Sequence, residues 1–388
     1  MTAYATLLHL SEEQLAFKEL ARDFLDKEVV PYRAEWDRRE SVDTAIIPKL
    51  GELGFFGLTI PEQYGGVGGD YITYCIAMEE LGRADSSVRG IVSVSMGLFG
   101  KILLDHGSEE QKQQWLPDIA TGTKLGCFGL TEPDNGSDPA GLKTRATRDG
   151  SDWVINGAKI FITNGTWADV CMVFARTGGE GAKGISAFLV PTDAPGFGRS
   201  EIHGKLGLRG QATAELTFDD VRVPADAMVG DEGDGFRFAM KSLDKGRVSV
   251  GAGCTGIIQG CLESVVSYSQ QRRQFGRQLA SFQLIQDMIA EMSVDVDAAR
   301  LLTWRAASLI ESGQPFSVEA SKAKYFASEM AVKAANLAIQ AFGGYGYIDE
   351  YPVQKYMRDA RVMTLYEGTS QIQKLLIGRA ETGISAFL

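Results

Sequence analysis

The sequence has few of the residues on which metal and nucleophile chemistry depend. Among its 388 residues there are five cysteines and three histidines. The cysteines are odd in number and form no C-x-x-C pair, which argues against a disulfide framework and against a zinc site. The histidines are too few and too scattered for a Ser-His-Asp triad. Proton transfer, with or without a redox cofactor, is therefore the chemistry to expect, and no metal is expected.

Basic charge and long apolar runs are also scarce. The chain has 39 lysines and arginines against 50 acidic residues, a net charge of −11, so we expect no nucleic-acid partner. No run approaches the roughly 18 uncharged apolar residues of a membrane span, since Lys101 interrupts "GIVSVSMGLFGKILL". The N-terminal "MTAYATLLHLSEEQ" has no basic residues before its apolar part, unlike a signal peptide. We therefore expect a cytoplasmic protein without membrane insertion.

What the sequence does have is a hydrophobic period that changes twice. The period is helical up to about residue 125, close to two from 126 to 235, and helical again from there to the end. A chain of this length is expected to form two or three domains. We therefore predict an α+β protein with an N-terminal all-α domain (1–125), a middle β domain (126–235) and a C-terminal helical domain (236–388).

Short local signals support these regions. Ser11 and Gln14 have the spacing of a capping box at a helix start. Asn156-Gly157 lies between β-branched and aromatic runs, which predicts a two-residue β-hairpin turn. Gly343-Gly344 follows a long apolar-periodic segment and predicts its end.

The segment "GAGCTG" (251–256) matches the G-x-G-x-x-G pattern of dinucleotide-binding folds. Such a site needs an acidic residue about 20 positions later to bind the ribose, but that neighbourhood reads "QQRRQFG". The flanking segments are also helical rather than alternating strand and helix. We therefore interpret these glycines as close helix packing.

Four motifs follow one another along the chain: "CFGLTEPDNGSD" (127–138), "FITN" (161–164), "RRQFGRQL" (272–279) with "QAFGG" (340–344), and "YEGTSQIQ" (366–373). Together they resemble the acyl-CoA dehydrogenase family, and the resemblance covers nearly the whole chain. It implies a middle domain that is a β-barrel or sandwich and a C-terminal four-helix bundle. In that family the first two motifs contact the flavin, the third reaches the flavin of a neighbouring subunit, and the last is the catalytic segment.

The resemblance implies FAD as the cofactor. Desaturating an acyl thioester removes a proton from Cα and a hydride from Cβ, and no side chain accepts a hydride. The threonines that the resemblance assigns to the flavin, Thr131 and Thr163, could instead only make hydrogen bonds within their strand and loop. The arginine that it assigns to the flavin, Arg272, could instead belong to a solvated basic face. Carried over position by position, the residues that would bind FAD are Phe128, Leu130, Thr131, Gly136, Ser137, Phe161, Ile162, Thr163, Arg272, Phe275, Gln283, Gln340, Gly343, Gly344, Thr369 and Gln371.

Glu367 has two interpretations. The Gly-Thr-Ser that follows it is how a helix usually begins, so the segment could be an ordinary helix cap. A carboxylate can also take the Cα proton when burial raises its pKa, and the resemblance implies this role. Some relatives place their base at the position of Gly246, where this chain has no side chain. We predict that Glu367 is the catalytic base and that Thr369-Ser370 cap the helix.

The resemblance also assigns residues to the acyl-CoA substrate. Glutaryl-type members carry an arginine for a distal carboxylate at the position of Arg89, although their partner glutamate falls at Gly82 here. A helix-terminal arginine bonded to carbonyl groups is the alternative for Arg89, and a plain helix ion pair is the alternative for the Asp-x-x-Arg segment. The predicted substrate residues are Arg89, Ser137, Asp244, Arg247, Tyr366 and Gly368.

These inferences combine into one expected function. The resemblance implies FAD-dependent α,β-dehydrogenation of a short-chain or polar, dicarboxylic acyl-CoA, with electron-transfer flavoprotein as acceptor and a homotetramer as the assembly. Three alternatives stay open: a dehydrogenase of carrier-protein-bound acyl groups, an oxygen-reactive acyl-CoA oxidase, and a non-enzymatic helical binding protein.

Overall fold

The computed structural model describes residues 10–387; most of the segment compared with a signal peptide lies outside this range. Helices come first, then a sheet, then helices again, which confirms the α+β fold class. The first helices are α1 (Glu12–Glu28), α2 (Arg33–Arg38), α3 (Ile46–Glu52), α4 (Tyr71–Ala84), α5 (Ser86–Val94), α6 (Lys101–His106) and α7 (Glu109–Ala120). The predicted capping box is confirmed: Ser11 Oγ accepts from the Gln14 N–H, and the Gln14 side chain accepts from the Ser11 N–H.

The middle of the chain forms one mixed sheet. Its strands are β1 (Gly126–Gly129), β2 (Arg145–Asp149), β3 (Asp152–Thr163), β4 (Val170–Arg176), β5 (Ile185–Pro191), β6 (Phe197–Glu201), β7 (Thr213–Pro224) and β8 (Met228–Val229). They are ordered β6-β7-β3-β2-β4-β5-β8, with β1 parallel to β4. The half formed by β6, β7, β3 and β2 meets the half formed by β4, β5 and β8 at one pairing, Arg145 with Arg176. Trp153 of the first half contacts Phe188 of the second, with 5.5 Å between the ring centroids. The halves therefore pack face to face, as in a β-sandwich.

The hairpin turn predicted at Asn156-Gly157 is wrong. Strand β3 runs unbroken through both residues, and its pairing with β7 shifts register between Ile155 and Gly157. Asn156 and Asp220 hold this irregularity by exchanging two hydrogen bonds of 2.9 Å. A β-bulge thus uses the conformational freedom that a turn would also use. The turn itself lies between β2 and β3, at Gly150, where φ is 63°.

The last part of the chain is a bundle of long helices. They are α8 (Gly235–Gln271), α9 (Gln283–Glu311), α10 (Ser317–Phe342), α11 (Val353–Met363) and α12 (Ser370–Thr382), with short strands β9 (Arg273–Gln274) and β10 (Arg277–Gln278) after α8. Helix α10 ends at Gly343, with φ of 61°, as predicted. Residues Val248 of α8 and Trp304 of α9 share one hydrophobic cluster with the N-terminal helices.

The segment 251–256 lies in the middle of α8, so a dinucleotide-binding turn is excluded there. A Cβ atom on Gly256 would overlap the carbonyl oxygen of Glu79, and one on Gly82 would overlap that of Gly253. The glycines therefore let α4 and α8 approach closely, which confirms the packing interpretation.

Helices α5 and α6 are joined by a π-helical segment, Ser95–Gly100, into one helical run, Ser86–His106. The sequence-based statement that no run is long enough to span a membrane is wrong for this one, which has the length and composition to do so. Lys101 does not break the helix, because its Nζ donates a 2.9 Å hydrogen bond to the Thr59 carbonyl oxygen. Of the most apolar window in this run, 94% is buried inside the protein, as in a core helix.

Candidate active site

Glu367 lies in the short connection between α11 and α12. Its backbone is left-handed, with φ of 52°, and Gly368 follows with φ of 88°. A non-glycine residue in this region costs on the order of 1–3 kcal/mol, so the surroundings must enforce it. The Glu367 side chain is half-buried, and its Oε2 has neither solvent contact nor a hydrogen-bond partner. A buried, unpartnered carboxylate oxygen suits a base whose proton donor is a ligand.

Two fully buried side chains hold this turn from behind. Lys324 of α10 donates from Nζ to the Gly368 carbonyl oxygen at 2.7 Å. Gln373 of α12 donates from Nε2 to the carbonyl oxygens of Glu367 and Gly368, at 3.2 and 3.0 Å. These bonds satisfy the carbonyl groups that the left-handed turn withdraws from helical hydrogen bonding.

The helix cap in this segment is Thr369 rather than Glu367. Thr369 Oγ1 accepts a hydrogen bond from the Ile372 N–H at 3.2 Å, and Ser370 is the first residue of α12. The predicted helix start is confirmed. Because the threonine makes the capping bond, the Glu367 carboxylate is left for another role.

Burial and nearby charge act on Glu367 in opposite directions. Burial raises the pKa of its carboxyl group above the ordinary value, and the charges of Arg89, Lys324 and Arg247 partly offset that effect. A general base needs both, because a raised pKa makes it a better proton acceptor and nearby cations keep it ionised.

Gly246 of α8 faces the Glu367 carboxylate. A Cβ atom built on Gly246 would overlap Glu367 Oε2 and would lie 3.0 Å from the Leu98 side chain. The missing side chain therefore makes room for Glu367, and the two positions cannot both carry a carboxylate.

Arg89 is buried in α5 and reaches the same turn. Its Nη2 donates to the Tyr366 hydroxyl at 2.7 Å and its Nη1 to Ser93 Oγ at 3.3 Å, while its Nε has no hydrogen-bond partner. The alternative of a terminal arginine bonded to carbonyl groups is therefore wrong. No side chain at Gly82 could pair with it, since that position packs against the backbone of Gly253.

The loop after β1 lies beside β3, which brings two predicted flavin segments together. The Ile160 N–H donates to the Thr131 carbonyl oxygen at 2.9 Å. Lys159 Nζ donates to the Leu130 carbonyl oxygen at 3.1 Å. Phe128 is half-buried at the end of β1. These positions are far apart in sequence, and the structure brings the loop after β1 into contact with β3.

The end of β3 presents an aromatic ring outward. Phe161 is 65% exposed and left-handed, with φ of 60°, whereas Ile162 is buried in the sheet core. Thr163 Oγ1 accepts a 2.7 Å hydrogen bond from Gln211 Nε2. Gln211 Oε1 lies where a Cβ atom on Gly90 would be. Since Gly90 follows Arg89, this contact connects the strand with the helix that approaches Glu367.

The remaining predicted substrate residues are Asp244, Arg247 and Ser137, and the predicted flavin residues Gly136 and Gln371 are described with them. Asp244 and Arg247 form an ion pair with each other on α8, so the helix-pair alternative is present, but Arg247 Nε keeps no hydrogen-bond partner. Gly136 and Ser137 are exposed in the loop after β1, and a Cβ atom on Gly136 would meet no other atom within 4 Å. Gln371 is exposed on α12.

The other predicted flavin residues lie on a separate surface. Phe275 is 93% exposed and left-handed, with φ of 50°. A surface pocket of about 480 Å³ is lined by Arg272 and by Gln340, Gly343 and Gly344. Gln283 is also exposed, at the start of α9. Nothing in a single chain joins this surface to Glu367 among the residues that the structure describes.

Left-handed backbone marks several of the predicted site residues. Within residues 10–387, seven non-glycine residues have positive φ, and three of them are Phe161, Phe275 and Glu367. Strained backbone tends to be kept where a side chain must point in a required direction. This geometry supports the three assignments independently of sequence motifs.

Sequence reasoning missed Lys324, Gln373 and Gln211. A signal existed for Lys324, which falls on the buried stripe of α10 with Ala320, Ala323 and Ala327. A lysine at such a position needs a buried partner. No comparable pattern marks Gln373 or Gln211, because their partners are set by tertiary contacts.

Family comparisons agree with this arrangement. The chain matches the family models "Acyl-CoA dehydrogenase, N-terminal domain" over residues 11–123, "Acyl-CoA dehydrogenase, middle domain" over 127–221 and "Acyl-CoA dehydrogenase, C-terminal domain" over 233–382. It is 42% identical over 370 residues to a short-chain specific acyl-CoA dehydrogenase of Clostridium acetobutylicum, covering 95% of this chain and 98% of that protein.

Two solved structures are similar over almost the full length. Butyryl-CoA dehydrogenase from Megasphaera elsdenii has a TM-score of 0.94 and 42% identity, covering 96% of this chain and 98% of that one. Glutaryl-CoA dehydrogenase from Mycobacterium smegmatis in complex with FADH2 has a TM-score of 0.93 and 37% identity, covering 98% and 97%. From its motifs, its fold and these matches, the chain belongs to the acyl-CoA dehydrogenase family.

Proposed function

We propose that the protein is an FAD-dependent dehydrogenase that desaturates a short-chain acyl-CoA thioester between Cα and Cβ. The observation that carries the proposal is the Glu367 carboxylate, whose Oε2 is buried without a partner on a left-handed turn. Solved structures similar to this chain include enzymes named for butyryl-CoA and glutaryl-CoA, which supports a substrate with a short acyl chain. We retain the division into domains 1–125, 126–235 and 236–388 as part of this proposal.

The residues present fit an FAD cofactor. An exposed ring at Phe161 offers a face for stacking, and a pocket of about 480 Å³ beside Arg272 has room for a charged group. The loop residues from Phe128 to Ser137, together with Thr163, would hold the flavin end of the cofactor. FAD, when bound, supplies the hydride acceptor that the side chains lack.

The chain itself handles the proton and the substrate. Glu367 Oε2 would take the Cα proton, since it has no other partner and its pKa is raised by burial. Gly368, with φ of 88°, would let the backbone approach the thioester closely. The backbone N–H of Glu367 would donate to the thioester oxygen as charge develops there. Arg247, whose Nε is unpartnered, would contribute to binding the nucleotide end.

An anaerobic visible spectrum of the purified, FAD-loaded protein tests this function. Butyryl-CoA, glutaryl-CoA and acyl-carrier-protein thioesters are added one at a time. We expect butyryl-CoA to bleach the flavin band. Rapid reoxidation by oxygen would favour an oxidase, and bleaching only by carrier-bound acyl groups would assign that substrate class. A colourless protein that folds but binds no added FAD would overturn the proposal.

The proposal includes a substrate, a protein partner and an assembly. Acyl-CoA is the substrate, electron-transfer flavoprotein is the electron acceptor, and the protein assembles as a homotetramer. The exposed positions of Arg272, Phe275 and Gln340 support a site completed by a second subunit, because an isolated chain leaves these groups in solvent.

Replacing Arg272 by alanine is expected to weaken FAD binding. A charged hydrogen bond contributes roughly 1.5–3 kcal/mol, about 10- to 100-fold in dissociation constant. The matched control is Arg273→Ala, since Arg273 Nη2 bonds only to the Gly276 carbonyl oxygen of its own hairpin, at 3.1 Å. FAD retention after gel filtration measures the difference. Equal retention in both variants would remove Arg272 from the proposed site.

We also propose that Arg89 recognises a polar or acidic end of the acyl group. Its guanidinium is buried, reaches Tyr366 next to Glu367, and keeps Nε without a partner. A buried cation with donor capacity left over would accept a ligand carboxylate as its counter-charge.

Replacing Arg89 by methionine should therefore change substrate preference. We expect kcat/KM for glutaryl-CoA to fall by at least about 30-fold relative to that for butyryl-CoA, since truncating a buried charge pair costs roughly 2–5 kcal/mol. The ratio is used because Arg89 also bonds to Tyr366, so both rates can fall. An unchanged ratio, or glutaryl-CoA never being a substrate, would contradict the assignment to an acidic acyl end.

A further inference from the structure

We propose that Lys324 is a positioning residue for the base: it holds the turn that aims the Glu367 carboxylate, and its charge keeps that carboxylate ionised. This inference rests on the proposed function of Glu367 and deepens it. Lys324 does not touch the reacting atoms and acts through the backbone of Gly368 and through its field.

The burial of Lys324 calls for an explanation. The side chain is fully buried on α10, and its Nζ donates to the Gly368 carbonyl oxygen at 2.7 Å. Within residues 10–387, no carboxylate lies within ion-pairing distance of this Nζ. A buried ammonium group without an ion pair destabilises a fold. Its presence beneath the turn therefore points to a benefit at the site.

The first benefit is geometric. Glu367 and Gly368 are both left-handed, and only Lys324 and Gln373 bond to their carbonyl oxygens among the described side chains. A non-glycine residue leaves such a conformation unless contacts hold it. Without Lys324, the Gly368 carbonyl keeps one donor, and the direction of the Glu367 side chain becomes less fixed.

The second benefit is electrostatic. Arg247 is paired with Asp244, whereas Arg89 and Lys324 bond only to neutral groups in the described part of the chain, including the Tyr366 hydroxyl and the Gly368 carbonyl oxygen. The positive charge of Lys324 therefore acts on Glu367 beside that of Arg89, and no direct anionic partner among the described residues neutralises it. The charged and titratable groups that act on Glu367 or Lys324 are Tyr74 of α4, Arg89 of α5, Arg247 and Cys254 of α8, Glu329 of α10, and Tyr366. Two acids lie one step further away, Asp244 beside Arg247 and Asp359 near Tyr366.

The sign of the pH effect follows from this arrangement. A nearby cation lowers the pKa of a carboxyl group, so removing it raises the pKa of Glu367 further. The base is active as a carboxylate, and its activity rises with pH as the carboxyl group ionises. Loss of the Lys324 charge therefore moves the acidic limb of the pH profile to higher pH.

The chain provides a matched control. Lys101 is also buried, its Nζ also donates to a backbone carbonyl oxygen, that of Thr59 at 2.9 Å, and burial lowers its pKa to about 8. Burial likewise lowers the pKa of Lys324 to about 8. The two lysines differ in location, because Lys101 lies outside the surroundings of Glu367.

The experiment compares kcat/KM against pH for wild type, Lys324→Met and Lys101→Met. We expect Lys324→Met to lower kcat about tenfold and to shift the acidic limb upward by about one pH unit or more. We expect Lys101→Met to leave the limb in place. An infrared titration of the Glu367 carboxyl band, assigned with Glu367→Gln, should show the same shift without turnover.

Three outcomes decide the inference. A limb that stays in place in Lys324→Met, or an infrared band that does not move, overturns it. If Lys324→Met fails to fold, Lys324→Arg keeps the charge and should retain the wild-type limb with a lower kcat; a shifted limb in that variant also overturns it. A wild-type protein inactive on every acyl-CoA would overturn the proposed function, and the infrared titration would still test the link between Lys324 and Glu367.

Discussion

Replacing Glu367 by glutamine is expected to lower kcat for acyl-CoA dehydrogenation by about 10²- to 10⁴-fold, the usual contribution of a general base. The amide matches the carboxylate in shape but cannot accept the Cα proton. KM and FAD retention should change little, because Oε2 bonds to no protein group. The rate of anaerobic flavin bleaching after mixing with butyryl-CoA measures the effect. A variant that keeps more than a tenth of the wild-type rate would remove Glu367 from this role.

Stability gives this variant a second, independent signature. The folded-state pKa of Glu367 is raised, so its carboxylate form destabilises the fold, and that cost appears as pH rises from the unfolded pKa through the folded one. At neutral pH the neutral amide avoids this cost. The melting temperature of Glu367→Gln should therefore equal or exceed that of the wild type, in contrast to a residue kept for structure.

A relocated base provides a matched rescue. Because a side chain on Gly246 would enter the space of Glu367 Oε2, a glutamate there can reach the same region once Glu367 is removed. We expect Gly246→Glu combined with Glu367→Gly to recover part of the activity that Glu367→Gly alone loses. No recovery in a folded, FAD-loaded double variant would mean that the left-handed turn, and not carboxylate position alone, is required.

The sequence was most informative where a pattern is local. The capping box at Ser11 and the helix start at Thr369 depend on residues three positions apart, and both were predictable. The Asn156-Gly157 pair shows the limit of such patterns, because a bulge and a turn need the same backbone freedom. Only the pairing of Asn156 with Asp220, a residue 64 positions away, decides between them.

The candidate site was predictable in its residues but not in its surroundings. Glu367 could be identified from a motif, yet its left-handed backbone and the space left by Gly246 depend on the contact between the turn and α8. Lys324 was overlooked because a lysine on a helix is usually solvated, although its place on the buried stripe of α10 indicated burial. Its partner, the Gly368 carbonyl oxygen, is set by the packing of α10 against the turn, which periodicity does not specify.

A buried ion triad connects the elements that carry the site. Lys355 of α11 pairs with Asp359 at 2.6 Å and with Asp85 at 3.0 Å. Asp85 caps α5, the helix of Arg89, and Asp359 accepts a 2.7 Å bond from the Leu208 N–H. Although burial acts in the opposite direction, Asp359 and Asp85 hold the pKa of Lys355 above its ordinary value. The lysine is therefore charged in the folded protein.

Replacing Lys355 by methionine is expected to destabilise the protein by about 3–5 kcal/mol, since removing one member of a buried ion pair leaves the other charges uncompensated. A lower denaturation midpoint, followed by fluorescence, measures the loss. The matched control is Lys143→Met, whose ion pair with Asp134 is 72% exposed on both sides and should contribute at most about 1 kcal/mol.

The cause of the loss can be separated from lost packing by neutralising the triad. If uncompensated charge is responsible, Lys355→Met combined with Asp85→Asn and Asp359→Asn should recover much of the stability, because asparagine still offers an oxygen to the Leu208 and Ser87 N–H groups. If the triple variant is no more stable than Lys355→Met, the methylene chain rather than the charge was holding the helices. In the first case α5 and α11 are joined through their charges. Lys355→Met alone should then also loosen Arg89 relative to Glu367, and kcat should fall even at temperatures below the melting transition.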